Sequence, residues 1–145
     1  MSRFPFSPSP TGWFCFGLSD EIEPGELRSL RRFGRELILF RTQEGRAAVT
    51  DAHCPHLGAH LGGGFVEGEG VRCPFHRFKF DHAGTCRALG AGYGDKIPPK
   101  LGLRAYPVRE LNGFIMVWND DLRRAPFIEL PERDLAGRGP LLSPN

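Results

Sequence analysis

No apolar run in this sequence approaches the ~20 residues that a membrane-spanning helix needs, so a helical membrane span is excluded. The first ten residues, MSRFPFSPSP, lack the continuous apolar stretch of a secretory signal. Prolines 5, 8 and 10 favour an extended lead-in over residues 1–11, and a cytoplasmic location is expected. Charge of one sign is missing too. Nineteen Lys and Arg stand against 17 Asp and Glu, a net +2, which is too little to argue for nucleic acid or an anionic membrane as a partner. The densest basic run, RSLRRFGR (Arg28 to Arg35), reads as the solvated face of a strand. No segment sustains a 3.6-residue apolar period, so long helices are not expected. Cysteine is scarce as well. Four in a chain of this kind point to metal ligands or buried thiols and away from a disulfide framework.

Glycine and proline, by contrast, are abundant, 19 and 13, and spread along the chain, which suits many short strands joined by turns. GWFCFGL (Gly12–Leu18) reads as a buried strand. ELRSLRRFG and RELILFRT read as two strands meeting at Gly34, and AAVTD (Ala47–Asp51) as the strand that returns after the turn TQEGR. GFVEGEGVRCP reads as a hairpin turning at Gly68–Gly70, and RFKFDHAGTCRAL as another turning at His82–Gly84. LRAYPVREL and FIMVWND flank Asn112-Gly113, the pair that a type I′ turn favours because both positions need positive φ. FIMVW is apolar throughout, so both of its faces are expected to be covered. Trp13 and Trp118 read as core residues. The fold class is all-β, and the tail 132–145 carries little pattern.

The chemistry concentrates in two loops. CPHLGAHLGGG (Cys54–Gly64) contains Cys54-x-His56, and after sixteen residues CPFHRF (Cys73–Phe78) contains Cys73-x-x-His76. Thiolate and imidazole bind borderline and soft metals, which leaves zinc and iron–sulfur open. Structural zinc sites usually space their first two ligands by two to four residues, so a single intervening residue is uncommon for them. Two irons joined by two sulfides need two ligands each, and a Rieske centre places two cysteines on one iron and two histidines on the other. Each loop here supplies one of each. Pro55 and Pro74 stiffen the loops, and glycines 58, 62, 63 and 64 let backbone N–H groups approach a sulfide.

The stretch CPHLGAHLGGG…CPFHRFKFD resembles the Rieske motif. GWFCFGLSDEIEPGEL, GRELILFRTQEGRAAVTDAHCPHLGAHL and GDKIPPKLGLRAYPVRELNGFIMVW are similar to the N-terminal domain of Rieske non-haem iron oxygenases. The last of these looks most like the steroid-oxidising branch, with its ketosteroid hydroxylases and cholesterol desaturases. The resemblance covers residues 12–131. It implies a Rieske [2Fe-2S] cluster with Cys54 and Cys73 on one iron and His56 and His76 on the other. It also implies an antiparallel β sandwich with a small three-stranded subdomain carrying both loops. Many members have Gly-Trp after the second histidine, where this chain has Arg77-Phe78. Phe78 keeps an aromatic cover, whereas Arg77 lacks the backbone freedom of glycine. The motif has no place for His53 or His60, and His82 falls in a turn and is expected to be solvated. Cys15 and Cys86 are expected as buried free thiols. High-potential relatives share a serine and a tyrosine just after the second histidine and a disulfide across the loops. The corresponding positions here are Phe78, Phe80, Ala59 and Phe75, which implies a low reduction potential.

A complete oxygenase of this kind has a second domain with one iron held by two histidines and a carboxylate. Every histidine here lies between positions 53 and 82, so these residues cannot supply that site. The resemblance therefore implies electron transfer. The chain reads as the electron-receiving domain of an oxygenase whose catalytic iron domain is absent from it. A reductase or ferredoxin would be the donor and the oxygenase catalytic domain the acceptor. No oxygenase activity is expected from this chain alone. The alternative is a free-standing Rieske ferredoxin carrying electrons between a reductase and an oxygenase; a structural zinc module is a distant second.

Overall fold

The computed structural model describes residues 9–132, so most of the expected lead-in and nearly all of the expected tail lie outside the described residues. The described chain forms eleven strands: β1 (Gly12–Leu18), β2 (Leu27–Arg32), β3 (Arg35–Arg41), β4 (Ala47–Asp51), β5 (Phe65–Glu67), β6 (Gly70–Arg72), β7 (Lys79–Asp81), β8 (Cys86–Ala88), β9 (Ala105–Tyr106), β10 (Val108–Leu111) and β11 (Phe114–Asn119). Two 3-10 turns, Ser19–Glu21 and Leu61–Gly63, are the only helical segments among the described residues. No helix there is long and apolar enough to cross a membrane. Every strand pair is antiparallel.

Three sheets result, ordered β1-β11-β10, β2-β3-β4-β9 and β5-β6-β7-β8. The second lies between the other two, and β3 shows why. Side chains alternate across a strand, yet Leu37, Ile38, Leu39 and Phe40 are all buried. Leu37 and Leu39 pack with Val49, Ile115 and Val117 towards the first sheet. Ile38 and Phe40 pack with Ala48, Val71 and Phe80 towards the third. A strand covered on both faces reads as a continuous apolar run, and each such side chain contributes about 1.5–3 kcal/mol by leaving water. Arg41 fastens the first two sheets from within. Its guanidinium donates to the carbonyls of Ile22, Gly45 and Ser19, each at 2.7 Å, and to both oxygens of Glu110 on β10.

Two hairpins turn on residue pairs with positive φ. Asn112 and Gly113 sit at 52° and 82°, and Phe33 and Gly34 at 56° and 68°. The second turn therefore takes Phe33 as well as Gly34. Phe33 is an unusual left-handed residue, and its ring is held against Phe14 and Phe16. Covering of FIMVW is incomplete: Phe114 stays 45% exposed, while Ile115, Val117 and Trp118 are buried. The third sheet has four strands and not the expected three, because each hairpin, around Gly68–Glu69 and 82–85, contributes both arms.

Candidate metal centre

Cys54 lies three residues past β4, and Cys73 directly follows β6. The two loops close with the same backbone bonds. Cys54 N–H donates to Ala59 and Gly58 N–H returns to the Cys54 carbonyl, both at 2.8 Å. Cys73 N–H donates to Phe78 at 2.8 Å, and Arg77 N–H returns to Cys73 at 3.1 Å. Gly58 and Arg77 are thus equivalent, and both are left-handed, with φ of 79° and 64°. A non-glycine residue in that region costs about 1–2 kcal/mol. Arg77 nonetheless adopts the shape, held by Arg72, whose guanidinium donates to the Arg77 carbonyl at 2.8 Å. The Arg77 guanidinium lies over the Phe65 ring at 5.3 Å. Gly64 brings the loops together: a Cβ there would stand 1.9 Å from the Arg72 carbonyl oxygen.

The four candidate ligands sort into two pairs. Cys54 and Cys73 are 2% and 1% exposed, and both belong to the same buried cluster. Burial pushes the Cys54 thiol well above the usual range. The backbone N–H groups of His56 and Leu57 donate towards its sulfur and pull the other way, and Cys73 adds to the rise. His56 and His76 form the second pair, half-buried, with ring centroids 4.9 Å apart and planes at 73°. Phe78 stacks on His56 at 4.4 Å and 15°. His76 Nδ1 is buried without any hydrogen-bond partner, and a buried ring nitrogen left so is expensive unless something binds it. Among the described residues no three His, Cys, Asp or Glu side chains converge as a single ion would need. Two thiols and two imidazoles fit a two-iron cluster, with two donors for each iron.

The other histidines stand apart from these pairs. His53 and His60 face each other across an isolated bridge, with rings 5.2 Å apart. His53 Nε2 meets Glu36 at 3.0 Å, and His60 Nδ1 accepts the Gly62 N–H at 3.0 Å. His82 is not simply solvated: its Nε2 accepts from Arg46 at 3.0 Å and its Nδ1 is buried. Cys86 is buried, whereas Cys15 is exposed on β1, where its side chain faces outward in the strand alternation. Trp118 is buried and Trp13 is only half-buried, its ring against Trp118 at 5.5 Å.

Sequence reasoning missed a third segment, the loop 89–104. Gly90 presses on the second ligand loop so closely that a Cβ would lie 1.6 Å from the His76 carbonyl oxygen. The available signal was Gly90-x-Gly92-Tyr93-Gly94, an aromatic bracketed by glycines close after the motif.

The family profile of the Rieske [2Fe-2S] domain matches residues 12–98. The chain is 40% identical over 138 residues to cholesterol 7-desaturase nvd of Bombyx mori, covering 91% of this chain and 30% of that protein. It is 34% identical over 128 residues to a 3-ketosteroid-9-alpha-monooxygenase oxygenase component of Rhodococcus rhodochrous, covering 88% and 32%. Among solved structures, apo dicamba monooxygenase superposes with a TM-score of 0.67 at 30% identity, over 80% of this chain and 36% of that one. The chain thus spans about a third of the length of these relatives. With the fold in agreement with these matches, the chain belongs to the Rieske [2Fe-2S] domain family, and its cofactor is a [2Fe-2S] cluster.

Proposed function

We propose that Cys54 and Cys73 hold one iron and His56 and His76 the other, and that the chain receives electrons for a Rieske oxygenase. The observation that carries the ligand assignment is the sorting of the four residues into a buried thiol pair and an imidazole pair, with His76 Nδ1 lacking any other partner. When bound, the cluster supplies transfer of one electron at a time. The chain's own residues do the rest. The thiols must lose protons to bind, and the backbone N–H groups of His56 and Leu57 favour the thiolate at Cys54. Phe78 keeps water from one face of His56, and the half-exposed edges of both imidazoles leave a route by which electrons enter and leave.

The steroid-acting relatives and the dicamba monooxygenase likeness favour an oxygenase system over a free carrier. The donor is a reductase or ferredoxin; a solved structure of the same fold is described as a complex between an oxygenase and a ferredoxin in carbazole 1,9a-dioxygenase. The acceptor is a catalytic iron domain. It is not built from the described residues, among which no three His, Cys, Asp or Glu side chains converge on one point. The test is spectroscopic. His56→Ala or His76→Ala is expected to abolish the Rieske electron paramagnetic resonance signal of the reduced protein, and His53→Ala, His60→Ala and His82→Ala to retain it. A folded but colourless His60→Ala protein would refute the ligand assignment.

A further inference from the structure

The loop 89–104 contributes nothing to the proposed ligand set, yet it carries a ring that touches both histidines. Tyr93 meets His56 with centroids 4.9 Å apart and planes at 86°, and His76 at 5.6 Å and 69°. It also meets Phe78, the residue stacked on His56, at 4.9 Å and 84°. All three contacts are edge-on, the arrangement that aromatic quadrupoles prefer.

The backbone is shaped to hold the ring there. Tyr93 N–H donates to the Gly90 carbonyl at 3.2 Å, closing a turn whose first residue is pressed on the His76 carbonyl. Gly92 and Gly94, on either side, have φ of 87° and 72°, and a Cβ on either would meet nothing within 4 Å. Their identity is therefore set by left-handed backbone and not by lack of space. Core packing does not explain the aromatic either, because Tyr93 stays 43% exposed.

We propose that Tyr93 is a positioning residue for the imidazole pair, its ring fixing the planes of His56 and His76 and covering part of both against solvent. This rests on the assignment of those histidines as ligands. The test compares Tyr93→Phe, Tyr93→Ala and Gly92→Ala in the cluster-loaded chain by two readouts. The first is the histidine nitrogen hyperfine coupling in the reduced protein, measured by pulsed electron paramagnetic resonance, which reports ring orientation. The second is the rate at which diethyl pyrocarbonate modifies His56 and His76, located by mass spectrometry. Tyr93→Phe is expected to behave as wild type in both. Tyr93→Ala and Gly92→Ala are expected to shift the couplings of both histidines. They should also raise the modification rates by roughly three- to tenfold, the factor that one edge-to-face contact corresponds to. A residue that only packed would lower the melting temperature and leave couplings and rates unmoved, and that result would overturn the proposal. So would a Tyr93→Phe protein that matches Tyr93→Ala, since the role would then belong to the hydroxyl. If His56→Ala and His76→Ala both kept the cluster signal, the ligand assignment would fall, while the modification rates would still decide whether Tyr93 covers the histidines.

Discussion

Replacing Gly90 with alanine adds one methyl group, and the structure sets its effect. The new Cβ would lie 1.6 Å from the His76 carbonyl oxygen, 2.9 Å from its carbon and 3.6 Å from Phe78 Cδ1. The first contact must open by more than an ångström. It cannot do so cheaply, because the obstacle is backbone, closed by the Cys73–Phe78 and Arg77–Cys73 hydrogen bonds. Gly90 is not in the left-handed region, so no dihedral strain is involved and the effect is purely steric. Overpacking of this kind costs about 1–3 kcal/mol. Against it, alanine restricts the unfolded chain, a gain of about 0.4–1 kcal/mol. The steric term wins, with a net loss of about 1–2 kcal/mol. With a urea slope of about 1–3 kcal/mol per molar, the unfolding midpoint should fall by about 0.5–1 M. Iron content and visible absorption should fall with it, since the displaced segment carries His76. Equilibrium urea unfolding with iron analysis on the same samples measures both. A Gly90→Ala protein with wild-type midpoint and full iron would show that the loop 89–104 does not bear on the ligand loop.

The midpoint potential should lie below ~0 mV, in the lower part of the ~−150 to +300 mV span of such centres, because Phe78 and Phe80 bring no hydroxyl and Ala59 and Phe75 no bridging sulfur; a clearly positive value in protein-film voltammetry at neutral pH would refute this. Asp81 should weaken the fold in acid. Burial pushes its carboxyl up, but Arg87 at 2.6 Å and the Thr85 and Ala83 N–H groups outweigh that and hold it below the usual range. Its stabilisation is therefore complete above the unfolded pKa of about 4 and is lost as pH falls through the lower folded value. Arg87 is 63% exposed, which screens that pair and leaves much of the effect to the two backbone donors. Asp81→Asn should flatten the fall of melting temperature with acid, and an unchanged slope would count against the assignment.

Local chemistry made most of the fold legible. Asn112-Gly113 announced its turn because few other residues accept two positive φ values, and the motif marked its loops because metal chemistry restricts spacing. What stayed hidden depends on distant contact. Phe33 gave no turn signal, since its left-handed backbone is supported by Phe14 and Phe16, some 19 and 17 positions earlier. Arg77 looked incompatible with a glycine position, and only the Arg72 hydrogen bond and the Phe65 ring explain how it fits. Tyr93 is invisible to a search for ligands because it binds nothing; it matters through the rings it touches. Cys15 looked buried because its neighbours are apolar, but strand alternation turns it outward.

The pairing of β1 with β11 also orders the assembly of the chain. Gly12 faces Asn119, so the first sheet joins segments more than a hundred residues apart, whereas Val66–Val71 and Val71–Phe80 close loops of fewer than ten. The entropy of closure grows with the logarithm of loop length, and the difference here is about 2–3 kcal/mol. The β5–β6–β7 hairpins, the second of which carries the Cys73–His76 loop, can therefore pair while β1 is still searching for its partner. The long-range pairing of β1 with β11 is therefore the costliest closure in the domain, and the first sheet is the part that a shortened or permuted connection would most readily speed.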